Sequence, residues 1–168
     1  MGVILTVCDV TNCKKRKGEK TNLYGYVGKL LFINLTTGEI QEEKLHESIC
    51  RDYLGGYGFG VKELYDRLRP GIDPLASENI LGFITGALTG TGALITPRFM
   101  VVGKSPLTGG WGEANCGGFF GPELKKAGFD GVFVLGRAAA PVYILIDHGR
   151  VEIHPAQSLW GKDTFETE

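Results

Sequence analysis

Long apolar runs are missing from this 168-residue chain. None approaches the roughly 18 residues needed to span a bilayer as a helix, so no membrane partner is expected. An excess of one charge is missing too: 18 Lys and Arg stand against 19 Asp and Glu, a formal net charge of -1, which gives no electrostatic reason to expect nucleic acid or an anionic membrane. The only basic run, Lys14-Lys15-Arg16-Lys17, lies in a polar leader that places its apolar part before its charges. That order is the reverse of a secretory signal, and the expected location is cytoplasmic. Residues 1–22 are read as this leader, flexible, with residues 23–168 as one domain.

Cysteine is sparse and irregular. Cys8, Cys13, Cys50 and Cys116 form neither a CxxC pair nor a regular framework, in keeping with a reducing compartment. Cys8 and Cys13 could make half a metal site, but nothing nearby completes it. The three histidines, His46, His148 and His154, are scattered, and no Ser/His/Asp or Cys/His set stands out. Nucleotide motifs also fail. Gly103-Lys104-Ser105 resembles the end of a phosphate-binding loop, but the first required glycine falls on Arg98. Gly56-x-Gly58-x-Gly60 has the wrong spacing and no preceding strand.

Glycine, in contrast, is abundant, at 26 of 168 residues and without a collagen period. After the leader, Gly25 to Leu45 reads as a hairpin turning at Thr36-Thr37-Gly38. From Glu47 to Leu68 the pattern is helical, split at Gly55-Gly56, with Val61, Leu64, Tyr65 and Leu68 predicted as one apolar face. Asn79–Gly86 and Arg98–Gly103 read as strands separated by a Gly/Thr loop. Gly121-Pro122-Glu123 opens a predicted helix that Gly128 closes. Strands follow at Gly131–Leu135, Val142–Ile146 and Arg150–Ile153. Short elements in mixed order predict an α+β fold, without regular βαβ alternation.

The segment from Ser105 to Gly128, SPLTGGWGEANCGGFFGPELKKAG, carries seven glycines. Backbone N–H groups of a glycine-rich turn entering a helix can receive an anion. Arg98 could supply a guanidinium to the same anion, and Asn115 could offer an amide or a carbonyl to a heterocycle or a hard cation. The residues alone leave a second reading open, in which the glycines let sheets pack closely and Arg98 meets a surface carboxylate.

Five ordered blocks carry a family resemblance: GYVGKLLFINLTTGEI, YLGGYGFGVKELYDRL, GALTGTGA, the run from KSPLTGGWGEANCGGFFGPELKKAGFDG to VYILID, and LWGKDTFETE. Together, from about Leu23 to Glu168, they resemble the N-terminal domain of aldehyde ferredoxin oxidoreductases. The resemblance implies an α+β domain with mixed and antiparallel sheets in two similar halves and short helices. It implies a tungsten or molybdenum bis-pyranopterin (molybdopterin) cofactor with magnesium, a 4Fe-4S cluster, aldehyde substrates oxidised to carboxylic acids, and ferredoxin as electron acceptor. Within it, Arg98 corresponds to a position contacting pterin phosphate. Asn115 corresponds to an asparagine whose backbone carbonyl helps hold magnesium between the pterin phosphates, and Gly117 to a glycine whose backbone meets the pterin; Gly118 and Lys104 join as neighbours. Cys116 stands where relatives often carry a small residue and is read as a filler.

The family's cluster ligands and proton-transfer residues lie in later domains that this chain does not include. No catalytic residue is therefore expected here, and the isolated chain is expected to be inactive. The alternative is a free-standing, non-catalytic binding or assembly module of the same fold, self-associating or joined to a partner chain.

Overall fold

The computed structural model describes residues 3–7, as backbone, and 24–167. Four consecutive apolar residues, Leu30 to Ile33, make β2 (Lys29–Asn34) a strand buried on both faces, as a central strand with covers on each side must be. Leu30 and Phe32 enter one core cluster, Leu31 and Ile33 the other. β2 pairs antiparallel with β3 (Glu39–Lys44) and parallel with β7 (Gly131–Leu135). With β4 (Ile80–Thr85), β5 (Phe99–Lys104) and β6 (Trp111–Cys116) they form a six-stranded mixed sheet, order β3-β2-β7-β4-β5-β6.

One face of this sheet carries α1 (Glu47–Tyr53) and α2 (Tyr57–Arg67) over Phe32, Phe133, Ile84 and Val102. On the opposite face lie α3 (Phe120–Ala127) and a smaller sheet of β1 (Val3–Val7), β8 (Val142–Asp147) and β9 (Arg150–Pro155), which contributes Ile144 and Ile146. A short α4 (Thr164–Thr167) ends the described chain. The fold is α+β with mixed sheets of six and three strands. No helix among the described residues is long and apolar enough to cross a membrane.

Three elements differ from the sequence reading. Val3–Val7, assigned to the leader, is a strand paired parallel with β8, Val3 opposite Val142 through Val7 opposite Ile146. Its β-branched run supplies an edge for which the charges that follow it gave no hint. Cys8, Cys13 and the basic run lie outside the described residues.

The inward face of α2 is also rotated from the predicted one. Phe59, Gly60, Glu63 and Leu64 are buried, whereas Val61 and Tyr65 are exposed. A Cβ on Gly60 would lie 2.8 Å from Val102, so the bare backbone is what seats the helix on the sheet. Burial of Glu63 is compensated by Arg67, whose Nε donates to it at 2.8 Å. Lastly, Trp111–Cys116 is a strand. Its burial is slight, and pairing with β5 rather than apolar alternation defines it.

Candidate functional site

The β5–β6 hairpin builds the site. Its antiparallel register sets Met100 opposite Asn115 and Phe99 opposite Cys116, so Arg98, one residue before β5, reaches Asn115 from the neighbouring strand. The guanidinium of Arg98 donates to Asn115 Oδ1, and both residues are exposed. Sequence reasoning had singled out both residues; the fold joins them.

The backbone of Arg98 is fixed from behind. Thr89, buried in the loop between β4 and β5, donates through Oγ1 to the Arg98 carbonyl at 2.9 Å and accepts from Gly86 N at 3.1 Å. This anchor was missed because one threonine in a Gly/Thr loop carries no periodic signal. On the other side, Phe120 of α3 packs on Phe99 with ring centroids 4.6 Å apart.

β6 is an edge strand. The hairpin closes with Ser105 N donating to Gly110 O, and pairing alternates from there in an antiparallel ladder. By that alternation the N–H and C=O of Asn115 turn away from β5, toward the free edge.

Gly117 and Gly118 continue from β6 into α3 and are open: a Cβ on either would meet nothing within 4 Å among the described residues. Gly118 has φ +93, a left-handed conformation that explains glycine there. Gly117 has neither a positive φ nor a close neighbour among the described residues, so nothing among them requires it to be glycine. The strip from Trp111 to Phe119 is exposed throughout except at half-buried Gly112, where a Cβ would lie 3.1 Å from the Ser105 Cβ, so close packing accounts for that glycine but, among the described residues, not for Gly117 or Gly118.

Lys104 is not brought to this cluster. It lies at the opposite end of β5, about 20 Å from Arg98 at the usual strand rise, and its ammonium donates to the Ile72 carbonyl at 2.6 Å. Its role is to pin the segment before β4. Cys116 pairs with Phe99 and is exposed, while Cys50 is buried. Burial, with Asp130 and Glu47 adding negative charge, pushes the Cys50 thiol up to about 11, which makes it an inert core thiol. Burial also lowers the pKa of Lys125, against the pull of Asp130. The Asp130 carboxylate accepts from Val27 N at 3.1 Å and Gly28 N at 2.7 Å, so this buried pair ties the start of β2 to α3. No group of three His, Cys, Asp or Glu side chains that could hold a metal ion is found among the described residues.

Residues 30–168 match the family described as aldehyde ferredoxin oxidoreductase, N-terminal domain. The chain belongs to this family. It is 49% identical over 146 residues to the tungsten-containing aldehyde ferredoxin oxidoreductase of Pyrococcus horikoshii, covering 87% of this chain and 24% of that protein. It is also 37% identical over 148 residues to an aliphatic sulfonate oxidoreductase, WOR-like subunit, of Pyrococcus furiosus, covering 86% and 23%. A solved structure, the active-site complex BamBC of benzoyl coenzyme A reductase with 1,5-dienoyl-CoA, superposes with a TM-score of 0.83 at 38% identity, over 86% of this chain and 22% of that one. The chain thus spans about a quarter of the length of these relatives.

Proposed function

We propose that this domain is the floor on which the phosphate end of a tungsten pyranopterin cofactor rests in an aldehyde-oxidising enzyme. The observation that carries this reading is Gly117, a glycine that neither its backbone angles nor its neighbours require, beside an exposed guanidinium held by a neutral amide. A site shaped for close approach of a flat anionic ligand has this combination.

The residues fit such a group. Arg98 supplies positive charge to a phosphate, and Asn115 holds the guanidinium without neutralising it, which leaves its remaining N–H donors for the ligand. The Asn115 carbonyl, turned to the free edge, suits a magnesium ion between phosphates. Gly117 and Gly118 admit the ligand to the main chain. When bound, the cofactor supplies the two-electron chemistry between aldehyde and carboxylic acid.

Relatives named for aldehyde, sulfonate and benzoyl-CoA chemistry share this domain, which supports a role in holding the cofactor rather than selecting the substrate. In this reading ferredoxin accepts the electrons through a 4Fe-4S cluster held outside this chain, molybdenum is the alternative metal, and the isolated domain is inactive. Exposed Leu94, Ile95 and Phe119 near Arg98 favour a second reading, an assembly module that docks through this face without binding a cofactor.

The test is elemental analysis of the complete protein made in a tungstate-supplied host. Arg98→Ala is expected to lower tungsten per chain by about tenfold or more, the loss of a charge-assisted contact. Wild-type tungsten content in Arg98→Ala, or none in the unaltered protein, overturns the reading.

A further inference from the structure

Arg98 stands just before β5 begins to pair. The ladder between β4 and β5 starts with Thr85 opposite Phe99, so by register the next rung outward would match Gly86 with Arg98. The Thr89 hydroxyl stands in that rung. Its Oγ1 accepts from Gly86 N at 3.1 Å and donates to the Arg98 carbonyl at 2.9 Å. One oxygen, both acceptor and donor, thus bridges the two feet of the β4–β5 loop, and the strands part by its width.

Thr89 is itself closely held. Its N–H donates to the Gly86 carbonyl at 3.2 Å, its side chain is buried, and its χ1 is stiff because the side chain branches at Cβ. The first turn of α3 presses on the same junction. A Cβ on Gly121 would lie 3.0 Å from the Pro97 carbonyl, 3.1 Å from Thr89 Cγ2 and 3.5 Å from the Arg98 carbonyl. Alanine would favour the helix there, so the glycine is explained by this close approach. The peptide that leads from Arg98 into β5 is therefore fixed by the Gly86–Thr89 turn and by α3 together.

At its far end the Arg98 side chain is held by Asn115. A long guanidinium stem has much rotamer freedom to lose on meeting a ligand, and holding it at both ends removes part of that cost beforehand.

We propose that Thr89 is a positioning residue for the anion site: by standing in the Gly86–Arg98 rung it sets the direction in which Arg98 leaves the sheet, and so delivers the guanidinium to Asn115 and to the ligand. This rests on the cofactor reading above and adds to it a residue behind the surface. Thr85 gives a matched comparison. It is buried one rung further in, and its Oγ1 donates to the Asp130 carbonyl at 2.7 Å, on the β7 side of β4 rather than the β5 side.

The experiment compares Thr89→Val, Thr89→Ser, Thr85→Val and Arg98→Ala, and the double variant Thr89→Val/Arg98→Ala, in the complete protein from a tungstate-supplied host. The readouts are tungsten per chain after gel filtration and the thermal midpoint. Thr89→Val is expected to lower tungsten about threefold to tenfold, while Thr89→Ser, which keeps the hydroxyl, stays within about twofold of wild type. Thr85→Val should lower the midpoint much as Thr89→Val does, with tungsten unchanged. In the double variant tungsten should fall no further than in Arg98→Ala, because Thr89 acts through Arg98. If Thr89→Val does not fold, Thr89→Ala takes its place with the same expectation. Wild-type tungsten in the Thr89 variant that lacks the hydroxyl, with Arg98→Ala emptied, overturns the proposal and leaves the phosphate reading standing. Equal losses in Thr85→Val, or in Thr89→Ser, overturn it as well, as does a further fall in the double variant. Full retention in Arg98→Ala removes both readings.

Discussion

Arg98 and Asn115, 17 residues apart in sequence, are joined side chain to side chain across the β5–β6 ladder. The partner is an amide, so the guanidinium keeps its full charge at the surface. Asn115 would serve a cofactor twice, through a side chain that orients Arg98 and a main-chain carbonyl at the sheet edge.

That division of labour makes Asn115→Ala milder than Arg98→Ala. The carbonyl survives the substitution and only the orienting bond is lost, so tungsten content should fall by about two- to fivefold rather than tenfold or more, in line with a single hydrogen bond to a charged group. Metal analysis of both variants side by side checks the order; a larger loss in Asn115→Ala would show that the side chain itself holds the ligand.

Lys104 belongs to the fold. Its ammonium meets the Ile72 carbonyl at 2.6 Å in a partly buried position. Lys104→Met should lower stability by about 1–2 kcal/mol, read from denaturant unfolding, with tungsten content unchanged. Reduced tungsten at unchanged stability would return Lys104 to the site.

Cys50 sets a pH dependence whose sign is fixed by its environment. Its thiol titrates at about 11 in the fold against an ordinary value of 9.0. Between these values the unfolded chain has released a proton that the folded chain still binds, so stability falls as pH rises through this window. Below pH 9 the contribution is fully present. Measured from pH 8 to 11, wild type should lose up to about 2–3 kcal/mol relative to Cys50→Ala. Parallel pH curves for the two proteins would contradict the shift.

Much of the architecture was readable because the signals were local. The Thr36-Thr37-Gly38 turn, the break at Gly55-Gly56 and the αL stop at Gly128, with φ +110, each depend on a few adjacent residues, and each sits where expected. What failed depended on distant partners. Gly60 is a core position only because Val102 lies beneath it, and a pattern of apolar side chains cannot register a glycine as buried. β6 exists because β5 is there to pair with it. Strand β1 needs β8, more than 130 positions later. At the site, Arg98, Asn115 and Gly117 could be named from composition and family likeness, whereas their junction and the separation of Lys104 required the register. Thr89 was passed over because its significance lies in the Arg98 carbonyl that it meets.

The most direct measurement is tungsten per chain, together with the thermal midpoint, for Gly117→Val in the complete protein. A Cβ at this position meets nothing within 4 Å among the described residues, so the fold should be as stable as wild type. If the main chain there is kept bare for a ligand, the valine should remove most of the metal while the midpoint stays within about 2 °C, as for a substitution that changes stability by less than about 0.5 kcal/mol. Wild-type tungsten content with an unchanged midpoint would contradict the account.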